Sequence, residues 1–140
     1  MKMVQPAIIL LQDVEGIFQM FLVEADKSKN LLKISFAQRV DLEEAKRCAE
    51  EVQTLLADVQ PGFQLLTDLS GLESMDVACA RHIERVMDLC NKKGVAKVVR
   101  VIPDPHKDIG FNILSLFHYR HGIPIVTCET LEEAMQILVV

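Results

Sequence analysis

Asp76, Cys79 and His82 follow one another at intervals of three residues. On a helix that spacing can set Cys79 and His82 on one flank, a thiol beside an imidazole, the parts of a cysteine nucleophile with its base or of a metal site. A thiol works in this way only when ionised, in an electropositive and partly open setting, and a free cysteine is ordinarily a small apolar packing residue. Nothing else in the chain supplies the further parts of a hydrolase, so Cys79 is assigned a structural role and no catalytic residues are expected. His118 and His121 stand one turn apart with His106 upstream. Three imidazoles would begin a metal site, but no cysteine or carboxylate completes the set, and histidines near a helix C-terminus are stabilised by its dipole without a ligand. The glycines are isolated, with neither a Gly-x-Gly-x-x-Gly turn nor a Walker loop, so no metal, nucleotide or other cofactor is expected. Ser70 and Ser74 carry hydroxyls able to accept a phosphate, although serine in a turn ordinarily hydrogen-bonds its own backbone.

Such residues need elements to hold them. The chain has 140 residues, half of them hydrophobic and a quarter charged, with a formal net charge of −5. That length suits one core, and the composition argues against disorder. The dispersed acids favour solubility and leave no basic footprint for nucleic acid. The apolar run Ala7 to Leu11 is too short to cross a bilayer or to serve as a signal-peptide core, so no transmembrane segment is expected. Cys48, Cys79, Cys90 and Cys128 form no C-x-x-C pair and lie in apolar patterns, which suits a reducing cytoplasm.

Phe18–Val23 and Leu31–Phe36 read as a β-hairpin around the polar turn Asp26–Asn30. The segment from Ala7 to Ile17 reads equally as helix or edge strand, so residues 1–17 are taken as an N-terminal extension and residues 18–140 as the domain. Asp41 and Glu44 spell a capping box for a helix whose inner face runs from Leu42 through Ala45, Ala49 and Val52 to Val59. Phe63–Leu69 reads as a strand closed by the turn Ser70-Gly71. Asp76 caps a second helix from about Val77 to Lys93, with Val77, Ala80, Ile83, Val86, Met87 and Cys90 inside and Gly94 as its stop. A strand from Val95 to Ile102, a third helix from about Asp108 to His121, a strand from Pro124 to Cys128 and a last helix capped by Thr130 and Glu133 complete the order β-β-α-β-α-β-α-β-α. Such alternation implies an α/β fold, with about four helices on a mostly parallel sheet whose antiparallel edge is the opening hairpin.

The stretch Asp68-Leu69-Ser70-Gly71-Leu72-Glu73-Ser74-Met75-Asp76 resembles the strand and loop of STAS domains, the SpoIIAA-like family of anti-sigma factor antagonists. In that family the corresponding stretch runs into Asp-Ser-Ser-Gly at a helix start. The element order is similar from about residue 18 to residue 138, and Thr130-Leu131-Glu132-Glu133-Ala134 looks like the family's closing helix start. The resemblance implies a single STAS-like domain and a regulatory, non-catalytic module that binds another protein. It places the contact surface on the loop and helix start, at Ser70, Ser74, Met75, Asp76 and Cys79. The family's phospho-acceptor is the second serine after the aspartate. Ala78 stands there in this chain, so the resemblance implies a divergent member that is not switched at that position.

The third helix is the other candidate surface. Ile109, Ile113, Leu116 and Phe117 suffice for a core stripe, while Phe111, Leu114 and Tyr119 add apolar area off it. The N-terminal segment or the closing helix would cover that area. The alternatives are a homodimer interface, a partner groove, or a gate for a small apolar or lipid ligand carried in a Sec14-like manner.

Overall fold

The computed structural model describes residues 13–14, 17–102 and 122–139. Two short strands, β1 (Asp13–Val14) and β2 (Ile17–Phe18), pair antiparallel ahead of the main sheet. The sheet begins with β3 (Phe21–Asp26) and β4 (Leu31–Val40), antiparallel from Phe21↔Phe36 to Asp26↔Leu31. Local polar chemistry makes their turn: Asp26 Oδ1 accepts from the Ser28 hydroxyl at 2.7 Å and from the Lys29 N–H at 3.2 Å. Asn30, at φ +52°, takes the left-handed position that asparagine tolerates. Its Oδ1 accepts from the Gln60 N–H at 2.7 Å, which ties the hairpin to the loop leading into the next strand.

Helix α1 (Leu42–Leu55) starts at the expected capping box: the Glu44 N–H donates to Asp41 Oδ1 at 2.8 Å and the Asp41 N–H to Glu44 Oε1 at 3.3 Å. Ala45, Cys48, Ala49 and Val52 are buried, as their spacing demands, but Leu42 is 41% exposed. Leu42 is three residues before Ala45 and shares its stripe, yet it stands in the first turn, beyond the end of the core.

Strand β5 (Gln64–Met75) corrects the sequence reading most. Ser70-Gly71 is no turn; the strand runs on through it. Its parallel pairing with β4 steps from Ser35↔Asp68 to Ala37↔Gly71, and again from Gln38↔Leu72 to Arg39↔Ser74. Each step adds one residue to β5, as a β-bulge does, and Gln38 sits between the steps at φ +55°. Serine and glycine signal a turn locally, whereas a bulged strand accepts the same residues when a partner strand keeps pairing with them.

Val77–Cys79 form a single 3-10 turn, and helix α2 (Ala80–Lys93) follows. Ile83, Val86, Met87 and Cys90 are buried, but Val77, expected on the inner face, is 87% exposed. Steps of three drift by about 60° each from an α-helical stripe, so Val77, two such steps before Ile83, lies about 120° off the inner face. Gly94 ends α2 at φ +102°, its N–H donating to the carbonyls of Cys90 and Asn91. A Cβ on Gly94 would lie 3.3 Å from Pro61 Cβ. Gly94→Ala is therefore expected to destabilise the fold by about 1–2 kcal/mol, read as a lower urea midpoint with an unchanged slope.

Strands β6 (Lys97–Val101) and β7 (Ile125–Cys128) continue the sheet in parallel, giving the order β3-β4-β5-β6-β7. Helix α3 (Leu131–Val139) starts with the Glu133 N–H on Thr130 Oγ1 at 3.1 Å. The Glu133 carboxylate reaches back to the Glu129 N–H at 3.2 Å, one residue further than the usual box. Helices α1 and α2 cover one face, where Phe21, Leu32, Ile34, Phe63, Leu65 and Leu69 form the larger core. Helix α3 covers the other over Leu66, Val99, Val101, Cys128 and Ala134. The result is a single α/β domain with a five-stranded mixed sheet and three α-helices among the described residues. The helix expected over 108–121 lies outside the described residues, and with it His106, Phe111, Leu114, His118, Tyr119 and His121.

Candidate functional site

Strands β4 and β5 stay paired to their ends at Val40↔Met75, which brings Asp41-Leu42 and Asp76-Val77 out of the sheet together. The Asp76 N–H donates to the Val40 carbonyl at 3.3 Å, holding the two exits in contact. Asp76 then caps the 3-10 turn: its Oδ1 accepts from the Ala78 N–H at 2.9 Å, and its carbonyl accepts from the Cys79 N–H at 2.9 Å. Asp76, Val77 and Ala78 are exposed on a turn whose backbone is fixed at both ends.

Of the five residues assigned to this surface, Ser74, Met75 and Asp76 follow one another at the strand end. Ser74 and Asp76 are exposed, while Met75 is half-buried against the larger core. Ser70 lies four residues back along β5, about 13 Å at the ordinary strand rise. Its hydroxyl and N–H both donate to Asp68 Oδ1, at 2.7 and 3.0 Å, which is the local hydrogen-bonding role of a turn-type serine.

Cys79 does not belong to the surface. Its side chain is fully buried beneath the turn, with Sγ 3.7 Å from the Val40 carbonyl. Burial pushes its thiol above the ordinary value, and the neighbouring Asp76 carboxylate pushes it further. Both effects oppose the thiolate that a nucleophile would need. Burial likewise raises Cys48, Cys90 and Cys128, and all four cysteines are free. Among the described residues no three His, Cys, Asp or Glu side chains gather as a metal site. No helix there is long and apolar enough to cross a membrane.

Sequence reasoning missed Leu42, Val77 and Ala78 as surface residues. The one signal available was position: each falls in the first turn after an Asp cap, where side chains overhang the end of the sheet.

The sequence matches the family model of the STAS domain over residues 23–134, from within β3 into α3. The chain belongs to the STAS domain family. Its fold is similar to that of an uncharacterised DUF3478-family protein with a SpoIIAA-like fold from Shewanella loihica PV-4. The two align with a TM-score of 0.66 and 13% identity over 87% of this chain and 96% of that one. The anti-sigma factor antagonist SpoIIAA in its unphosphorylated form aligns with a TM-score of 0.59 and 15% identity, over 85% of this STAS chain and 96% of SpoIIAA. The Bacillus cell fate determinant SpoIIAA in its phosphorylated form aligns at 0.58 and 16%, over 84% and 98%. At these identities the likeness is one of fold. No curated protein matches the sequence. The opening hairpin, the long β5 and the capped turn into α2 are thus parts of a STAS fold, and the Asp76 turn lies within the matched span.

Proposed function

We propose that this STAS domain is a non-catalytic regulatory module of the cytoplasm that binds another protein through the strand end and turn at Ser74, Met75 and Asp76, with Ser70 at the margin. The observation that carries the reading is the Asp76 turn, fixed by its cap hydrogen bonds and exposed, at a helix start in a domain of this family. SpoIIAA is known in unphosphorylated and phosphorylated forms. At the position that resembles the family's acceptor this chain has Ala78, which has no hydroxyl, so capture of its partner does not depend on phosphorylation there. The buried, raised thiol of Cys79 supports a role without nucleophilic chemistry. Four free cysteines support a reducing compartment.

Affinity capture from native lysate, with wild-type chain and Asp76→Lys side by side, tests this. Asp76→Lys reverses one exposed charge and removes one cap hydrogen bond, a cost of about 1 kcal/mol that leaves the domain folded. A co-purifying protein that falls at least tenfold in the variant is the expected result. Equal capture by both would remove this surface.

A further inference from the structure

We infer that the partner presents a basic amphipathic helix whose apolar residues seat on a strip formed by Leu42 and Val77. This rests on the reading above and names the chemistry of the partner. Leu42, at 41% exposure, and Val77, at 87%, are the large apolar side chains exposed among the described residues. Single exposed apolar residues are common and mean little. These two share one place: each stands two residues beyond the registered pair Val40↔Met75, on chains held together by the Asp76 N–H to Val40 carbonyl bond.

Val77 is held outward by its backbone. The Asp76 carboxylate fixes the Ala78 N–H, the Cys79 N–H closes the turn, and the buried Cys79 side chain anchors it from below. A β-branched side chain on a fixed turn has little rotamer freedom left to lose on binding.

The charges around the strip choose the partner. Asp41, Glu43, Glu73 and Asp76 are exposed acids at this end, against Arg39, Lys46 and Arg81. An apolar strip inside an excess of acid complements a helix that carries lysine or arginine beside its apolar stripe. The same excess opposes a second copy of this chain, because a twofold contact would set acid against acid. It also opposes nucleic acid and anionic lipid.

The test uses two synthetic helical peptides of about 18 residues, some five turns, with the same leucine stripe and either lysine or glutamate elsewhere. Binding is read by fluorescence anisotropy at about 0.15 M salt, and the contact site by amide chemical shifts of the labelled chain. The lysine peptide is expected to bind, with shifts centred on Leu42, Glu43, Val77 and Ala78. Leu42→Ser and Val77→Ser, which remove the apolar contact without adding charge, are each expected to weaken it about tenfold, the loss of one largely buried aliphatic contact. Both side chains are exposed, so the unfolding midpoints should stay within a few tenths of a kcal/mol of wild type.

Equal binding of the glutamate peptide, shifts centred elsewhere, or wild-type affinity in both variants would each overturn the inference. So would a concentration-dependent dimer in sedimentation that disappears in Val77→Ser, since the strip would then belong to self-association. The two proposals fail separately. Unchanged capture by Asp76→Lys removes the surface itself, whereas a partner lost in Asp76→Lys but kept by Leu42→Ser removes the helix-seating inference alone.

Discussion

Between pH 8 and pH 11 the domain is expected to lose about 5 kcal/mol of stability through two thiols that stay protonated over this range while it is folded. Cys48 on α1 and Cys90 on α2 are both fully buried in the larger core. Burial pushes Cys90 up to about 12, and it pushes Cys48 higher still, with Glu51 and Cys90 adding to the rise. In the unfolded chain both thiols ionise near the ordinary value of 9. Below that pH the folded and unfolded chains hold the same thiol protons and the contribution is fully present. Above it the unfolded chain sheds two protons that the folded chain keeps. Stability then falls by roughly 1.4 kcal/mol per pH unit for each thiol, until the folded values are reached. Two units past the midpoint that is about 3 kcal/mol each, against a whole stability of about 5–15 kcal/mol for a domain of this kind. Urea unfolding at several pH values checks it. Lysine and tyrosine also titrate in this range, so the comparison is with Cys48→Ala and Cys90→Ala, each of which should remove about half of the steep alkaline fall. An equally steep fall in both variants would show that the loss comes from other groups.

The local chemistry of this fold was plain in its sequence, and the long-range pairing was not. Asp41 with Glu44, Thr130 with Glu133 and the Gly94 stop act through neighbours a few residues away, and all three are where spacing places them. The hairpin, the alternation and the parallel sheet with one antiparallel edge follow from period and order. The extension of β5 past Ser70 and Gly71 depends on a partner 34 or 35 positions away, β4, through the bulges opposite Ala37 and Arg39. No local pattern encodes a register shift. Phase misplaced the site as well. Val77 reads as an inner residue only by steps of three from Ile83 and Ala80; at about 100° per residue it lies about 120° from Ile83, while Cys79, four residues before Ile83, falls on the inner face where it is buried. Asp76 was legible because a cap is a local bond. The apolar strip beside it was not, because its two members come from different elements that meet only through the pairing of β4 with β5.

Replacing Glu44 by alanine is expected to destabilise the domain by about 3 kcal/mol, because one carboxylate ties three segments together. Its Oε1 accepts from the Asp41 N–H at 3.3 Å and closes the α1 cap, while its Oε2 accepts from the Met20 N–H at 3.0 Å and fixes the approach to β3. The group is 9% exposed, so water replaces those bonds poorly. Arg47, one turn on, repeats the link from its own side, donating to Gln19 Oε1 at 3.1 Å with its guanidinium 5.6 Å from the centre of the Phe21 ring. That second link is why the N-terminal approach should stay attached in the variant while the cap loosens. Glu44→Gln keeps one good acceptor and the shape of the capping box, and should cost about 1 kcal/mol. Urea midpoints rank the variants, and amide exchange locates the damage: the Met20 and Asp41 amides should exchange faster in Glu44→Ala. Because Leu42 rides on the same first turn, the lysine peptide should also bind Glu44→Ala more weakly than Glu44→Gln. Equal stability of the two variants would mean that the carboxylate acts through its charge at the helix start rather than through the two bonds, since alanine and glutamine are equally neutral there.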